Sequence, residues 1–355
     1  MRKRFKEKIE MVDRSGMYGK ILEFPEQLLK GWEIGKPYVD ALDVTQFRNI
    51  VWDGMGGSAI AGDLINSLLA ETLPIPIFVN RGYRLPGFVD SKTLFIASSY
   101  SGNTEETLSA ANEAVERGCS ILCVTTGGRL GQIAEENAIP TFRLPSGYPP
   151  RAALGYNLGL FLSIFRQMGL SMISRDDLAE AVSFLTEQSN YWMQNDGKGS
   201  LPYRLAREIR GRIPLIHTSD RLSPVGYRWK TQFNENSKTH AFTLPFPEMN
   251  HNEIVGWEVL SDTETFFQHL AMVLLSVPDD FKRIRTRMDI TKDLIEESGG
   301  LVLEVEGEGP SFLARLLHLI FMGDLVSFYL AVLYNADPTE ILKIDHLKKA
   351  LSKFA

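Results

Sequence analysis

Cysteine is scarce: Cys119 and Cys123 are the only two in 355 residues. They stand four apart, match no zinc-ligand spacing, and are expected to be buried free thiols of a reducing compartment. The six histidines, at 217, 240, 251, 269, 318 and 346, form no H-x-H or H-x3-H pair. A chemistry without metal is therefore expected. Positive charge is also in short supply. Thirty-eight Lys and Arg face 44 Asp and Glu, for a net charge of −6, which argues against nucleic acid as a partner. The "RKRFKEK" start mixes bases with an acid and reads as a solvated helix face. No secretory h-region stands near the N-terminus, and no apolar run of about 18 residues is unbroken. The most lipophilic stretch, "FLARLLHLIFMGDLVSFYLAVLY", is interrupted by Arg315, His318 and Asp324. It is expected to be a buried helix pair, in a cytoplasmic protein with no membrane partner.

What remains is the composition of an ordinary globular chain, 44% hydrophobic and 23% charged. Its length exceeds one comfortable core, so two domains are expected. Residues 1–45 look helical. "FRNIVWDGMGGSAIAGDLINSLL" then reads as strand, glycine turn and helix. Further strands are expected at "IPIFVN" (75–80), "TLFIASS" (93–99), "CSILCVTT" (119–126) and "IPTFRLP" (139–145). Strands alternating with helices at this spacing define a doubly wound parallel sheet. A long helical stretch is expected over 152–195. A second α/β unit begins with a strand at "IPLIHTSD" (213–220), a helix in "SPVGYRWKTQFNENSK", and a strand plus loop in "THAFTLPFPEMNHNEIVGW". "TFFQHLAMVLLS" precedes "FKRIRTRMDITKDLIEESG", and "LVLEVEGEG" is a further strand. The expected division is 1–45, an N-terminal helical segment; 46–150, a first α/β domain; 151–200, connecting helices; 201–310, a second α/β domain; and 311–355, C-terminal helices. "NIVWDGMGGSAIAGDLI" and "PLIHTSDRLSPVGYRWK" form a faint repeat whose second copy has lost its glycines.

Two turns carry chemistry. "GMGGSA", Gly54 to Ala59, fits a dinucleotide fingerprint, but that reading needs an acid about 20 residues on. The chain offers Asn80 and Arg81 there; Arg81 would suit a 2′-phosphate. Under either reading, glycines at a strand-to-helix turn let backbone amides approach an anion. "SSYSGNTEET", residues 99–108, places hydroxyls where a strand meets a helix. Such hydroxyls, with the open amides of the first helical turn, make a neutral cradle for a phosphate monoester. Glu105 and Glu106 would repel a dianion, but they fit a first turn capped by Asn103 or Thr104 and pointing outward.

Together "GMGGSAIAGDL" and "SYSGNTEETL" resemble sugar isomerase (SIS) domains. "PPRAALGY", "RWKTQFNENSK" and "NHNEIVGW" narrow the resemblance to the bifunctional phosphoglucose/phosphomannose isomerases of the phosphoglucose isomerase superfamily. It spans roughly residues 45–260 by motif and continues less distinctly to the C-terminus. The resemblance implies two SIS-type doubly wound subdomains in a homodimer without a cofactor. It gives Ser99, Ser101 and Thr104 the phosphate, and Gly56, Gly57 and Ser58 the C1-to-C3 end of a sugar. Arg151 would steady an enediolate, Glu235 would be the base, and His251, from the neighbouring subunit, would open the ring. Thr339 in "DPTEILKIDHLK" is the best match for a threonine close to C1 and C2.

The residues themselves allow these roles. Moving a proton between C1 and C2 needs a carboxylate or imidazole, a donor for the enediolate oxygens, and an acid/base for ring opening. Burial of Glu235 would suit a proton shuttle; a surface carboxylate bridged to Lys230 or Lys238 is the alternative. Arg151, stiffened by two preceding prolines, could equally be a domain-linking ion pair. Asn250 and Asn252 could fix the His251 tautomer. The expected function is a metal-independent isomerase interconverting fructose 6-phosphate with glucose 6-phosphate and, by the same resemblance, mannose 6-phosphate. A non-catalytic SIS-type phosphosugar sensor would keep the hydroxyl turn but need neither Glu235 nor His251. An amide-transferring enzyme would need a glutaminase domain with an N-terminal cysteine, which this sequence does not contain.

Overall fold

The structure, a computed structural model, describes residues 2–37, 43–260 and 265–354. Helices α1 (Arg2–Val12), α2 (Met17–Leu22) and α3 (Phe24–Gly35) open the chain; residues 38–42 of the expected N-terminal helical segment lie outside the described residues. A first sheet follows, from β1 (Asn49–Asp53), β2 (Ile77–Asn80), β3 (Thr93–Ser99), β4 (Ser120–Thr125) and β5 (Thr141–Arg143). Its helices are α4 (Gly56–Leu69), α5 (Glu105–Glu116) and α6 (Gly128–Glu136). Every pairing is parallel, in the order β2-β1-β3-β4-β5. All seven residues of β3 are buried, which is why it reads as a continuous apolar run rather than an alternating one. On one face Val51, Phe95, Ala97 and Cys123 meet Ala110, Ala111 and Ala114 of α5. The thiol of Cys123 is buried as expected, and that burial raises its pKa to about 11; Cys119 is only partly buried.

The long helical stretch is two helices, α7 (Leu154–Gln167) and α8 (Arg175–Met193). Gly169, at φ 71°, ends the first, a left-handed position that glycine tolerates without steric cost.

The second sheet follows α9 (Leu201–Ile209). Its strands are β6 (Ile213–Ser219), β7 (Phe242–Phe246), β8 (Leu270–Ser276) and β9 (Leu301–Glu306), with α10 (Ser223–Asn236) and α11 (Lys282–Glu297) between them. The order β7-β6-β8-β9 is again parallel throughout. "TFFQHLAMVLLS", whose residues fit helix and strand alike, supplies β8, an interior strand. Two compact units result, one from residues 22–186 with 309–317, the other from 1–21, 187–308 and 318–355.

The apolar C-terminal stretch corrects an expectation. It is not a helix pair but one helix, α12 (Phe312–Tyr334), followed by α13 (Leu342–Leu351). The polar residues in α12 do not break it because the fold neutralises them. Asp324 accepts from Arg228 Nε at 3.1 Å and Nη2 at 2.8 Å, and from Gln232 Nε2 at 2.8 Å. His318 is buried, and burial pushes its pKa down to about 4, favouring the neutral imidazole. Although α12 is long and apolar enough to cross a membrane, its most apolar window is 94% buried within the protein. It is a core helix.

Candidate active site

The strand order reverses beside β1, which has β2 on one flank and β3 on the other. Ligands of open parallel sheets bind outside the carboxyl ends of strands at such a reversal. The "GMGGSA" and "SSYSGNT" turns leave from the ends of β1 and β3, whose last residues run side by side with Asp53 opposite Ala97. The Tyr100 amide donates to Ser58 Oγ at 3.3 Å, tying the two turns together.

Within the second turn the Ser99 and Thr104 hydroxyls are 2.9 Å apart. Ser99 Oγ also accepts from the Gly102 amide at 3.1 Å, and Ser101 Oγ from the Asn103 amide at 3.2 Å. An accepted N–H occupies a lone pair only, so the Ser101 proton and one of the two protons of the Ser99–Thr104 pair are left for an anion. Ser99 is buried while Ser101 is exposed. Gly102 holds the turn in place: at φ 69°, its missing Cβ would lie 1.8 Å from the Gly127 carbonyl. Thr104 is the N-cap residue of α5 but makes no capping side-chain bond; its hydroxyl faces Ser99 instead. Asn103 Oδ1 accepts from the Arg129 amide at 3.0 Å. The amides of the first turn of α5 therefore lack the side-chain cap expected from either residue. Glu105 is exposed and Glu106 partly so.

Arg151 enters the same site through a glycine. It lies on a short 3-10 turn, Pro150–Ala152, and is buried. A Cβ on Gly57 would stand 2.9 Å from the Pro150 carbonyl and 3.4 Å from Arg151 Cα. The glycine turn thus lets the Arg151 backbone come into contact. Gly56, Gly57, Ser58, Ser99, Ser101, Thr104 and Arg151 are brought together in one unit.

Beneath these turns lies a carboxyl that the sequence reading did not single out. Asp53 is 1% exposed and accepts from Asn80 Nδ2 at 2.7 Å. Burial raises its pKa to about 6 against the pull of the Asn80 hydrogen bond. Asn80 is thus bonded to Asp53, while Arg81, which would suit a 2′-phosphate, is ion-paired to Asp63. Because the folded state holds the Asp53 proton more tightly than the unfolded chain, Asp53 costs stability as pH rises from about 4 to about 6. Asp53→Asn is expected to remove a loss on the order of 2 kcal/mol across that window. Urea unfolding of both proteins at pH 4.5 and 7 measures it; an unchanged pH difference would refute this role.

Glu235, His251 and Thr339 belong to the other unit. Glu235 lies in the last turn of α10 and is partly buried, between the buried shuttle and the surface carboxylate that the sequence allows. Of the two lysines near it in sequence, Lys230 lies over the Tyr227 ring, 5.0 Å from its centroid, and the Lys238 ammonium reaches four backbone carbonyls, that of Glu235 among them. A cleft of about 480 Å³ is lined by Glu235, Lys238, His240, then Glu340 and Ile341, and the start of α13 that follows them. Thr339 immediately precedes that lining, its amide donating to Asp337 Oδ1 at 2.8 Å.

His251 is exposed at the end of a 3-10 turn, Glu248–His251, and does not line this cleft. Its neighbours do not hold its ring as expected. Asn250 donates to Thr291 Oγ1 at 2.9 Å and accepts from Arg287 at 3.3 Å. Asn252 donates to Glu248 at 2.9 Å and accepts from the Glu253 amide. These amides brace the loop. Their short side chains are used up on nearby groups before they can reach the imidazole.

Two sheets of this order, with a hydroxyl-rich turn at the first reversal, define the chain as a double SIS-domain protein. The SIS domain model matches residues 44–143, and the model of the bacterial phospho-glucose isomerase C-terminal SIS domain matches 200–351. A bifunctional phosphoglucose/phosphomannose isomerase of Caldicellulosiruptor bescii is 42% identical over 95% of this chain and 99% of its own. One from Aquifex aeolicus is 37% identical over 89% and 94%. A hypothetical protein of Thermus thermophilus shares the fold, with a TM-score of 0.77, 16% identity, and coverage of 98% of this chain and 94% of its own. The chain belongs to the bifunctional phosphoglucose/phosphomannose isomerase family.

Proposed function

We propose that this protein is a metal-independent aldose–ketose isomerase. It interconverts fructose 6-phosphate with glucose 6-phosphate and mannose 6-phosphate through a cis-enediolate. The carrying observation is near full-length kinship to relatives of that name. The clustered hydroxyls and glycines of the first unit support the reading from geometry.

Ser99, Ser101 and Thr104 hold the phosphate, with help from the open amides of α5. A hydroxyl cradle binds the dianion without a permanent countercharge, which suits a substrate that must leave. Gly56, Gly57 and Ser58 follow the C1-to-C3 end of the sugar, and Arg151 offers donors to the enediolate oxygens. Glu235 removes the proton from one of C1 and C2 and returns it to the other. His251 opens the ring, entering from the second copy of a homodimer; its exposure on a braced loop supports that placement. Thr339 stands near C1 and C2. The first SIS domain, 46–150, supplies the phosphate cradle, and the second, 201–310, supplies Glu235 and His251. The protein acts in the cytoplasm, with hexose 6-phosphates as its partners and no nucleic acid or membrane.

Purified protein incubated with fructose 6-phosphate in EDTA, each aldose followed by its own coupled assay, tests the reading. Both products are expected at comparable rates. Glucose 6-phosphate alone would remove the second activity, and binding without turnover would replace the enzyme by a sensor. Ser101→Ala is expected to raise KM for fructose 6-phosphate at least tenfold with kcat within about threefold, since a hydrogen bond to a charged group is worth about 1.5–3 kcal/mol. An unchanged KM would remove Ser101 from the cradle.

A further inference from the structure

Lys238 follows the helix that carries Glu235. Its φ is 57°, in the left-handed region, where helix ends favour glycine. The amides of Ser237 and Thr239 both return to the Phe233 carbonyl, at 3.2 and 3.1 Å, closing the helix around it. A lysine at such a position is conformationally costly, and its side chain is fully engaged. Nζ donates to the Glu235 carbonyl at 2.7 Å, with the Asn236 carbonyl 3.4 Å away. It also donates to the carbonyls of Asp337 at 2.9 Å and Glu340 at 2.7 Å.

The first two carbonyls belong to the last turn of α10, where carbonyls lack intrahelical donors. The last two bracket Pro338 and Thr339. One ammonium therefore joins the end of the Glu235 helix to the tract carrying Thr339, at the wall of the cleft that Glu235 and Glu340 line. A charged donor also makes stronger bonds to carbonyls than a neutral one.

We propose that Lys238 is a positioning residue for the isomerase reaction, clamping four backbone carbonyls so that Glu235 and Thr339 keep a fixed spacing. The proposal rests on Glu235 being the base. Lys238 need not touch the sugar. Its effect is on the placement of a proton-transfer group, where an error near 1 Å can cost about a hundredfold in rate.

The test compares Lys238→Gly, which suits the left-handed backbone but removes the clamp, with Lys238→Met, which keeps the stem, and Lys238→Arg, which keeps the charge. On fructose 6-phosphate, Gly and Met are expected to lose tenfold to a hundredfold in kcat with KM within about twofold, because the proposed phosphate groups belong to the other unit. Arg is expected to recover at least a third of the lost rate on a logarithmic scale. Combined with Glu235→Gln, Lys238→Gly should change the residual rate by less than twofold, since a misplaced base costs nothing once the base is gone. Wild-type kcat in Lys238→Gly, or a loss that persists undiminished in the Glu235→Gln background, overturns the clamp. So does a kcat loss that merely follows a fall in Tm across the three variants. Full activity of Glu235→Gln alone would overturn the underlying assignment of the base, a failure distinguishable from failure of the clamp.

Discussion

Glu235→Gln is expected to lower kcat by about 10³-fold, within the 10²- to 10⁴-fold range of general acid–base catalysis, while the protein still binds fructose 6-phosphate. The substitution keeps the size of the side chain and its partly exposed place at the end of α10 but removes the group that accepts a carbon-bound proton. The phosphate hydroxyls are untouched. Binding measured by calorimetry should therefore stay within about threefold of wild type, and the loss should fall on turnover. Such a split separates an enzyme from a sensor, for which Glu235 has no task. Activity within fivefold of wild type would remove Glu235 from the chemistry.

The largest stability effect is expected at Asp324, a buried carboxylate with no proposed contact with substrate. This carboxylate is buried on α12 against Arg228 and Gln232 of α10, and one turn further along Asn236 donates to Ser327 at 3.0 Å. Arg228, Gln232 and Asn236 recur every four residues, so they form one polar stripe along α10, all of it buried. Asp324→Ala leaves the Arg228 guanidinium, itself 1% exposed, without this counter-charge, a change that typically costs about 3–5 kcal/mol. Urea unfolding at constant m-value is the measurement. The double variant Arg228→Met/Asp324→Leu is expected to recover most of the loss, because apolar residues of similar size need no countercharge in the same space. A single-variant cost below 1 kcal/mol would show that water or another group takes over the pairing.

The strands were legible because their residues are apolar and rich in Val, Ile, Phe and Thr between clear turns. Eight of the nine correspond to segments that the sequence marks as strands. The exception, β8, reads "LAMVLLS"; leucine, alanine and methionine fit a helix as readily, and length alone does not separate a short buried strand from a helical segment. The helix pair expected over 312–334 failed for a related reason. Interrupting charges signal a break only if they stay unpaired, and the partners of Asp324 lie about 95 residues earlier in the chain.

At the site, residue identity was readable and contact was not. Hydroxyls at a strand end were visible in "SSYSGNT", whereas the capping roles of Asn103 and Thr104 went to other bonds once the turn folded. Gly57 looked like part of an anion turn. Its close approach to Pro150 depends on a loop more than 90 residues away. Asp53 is a lone acid at the end of an apolar run, a faint signal of a buried carboxyl. Nothing in "NSKTH" announces that Lys238 will bond four carbonyls.

The central claim is that a proton, moved by a protein base through an enediolate, links ketose and aldose. The most direct measurement is fructose 6-phosphate turnover in D₂O with EDTA, read by NMR and mass spectrometry of the products. Solvent deuterium is expected at C2 of both glucose 6-phosphate and mannose 6-phosphate, formed by wild type and not by Glu235→Gln. Deuterium-free products formed by Glu235→Gln at the wild-type rate would mean hydride transfer between C1 and C2 without this base and would contradict it.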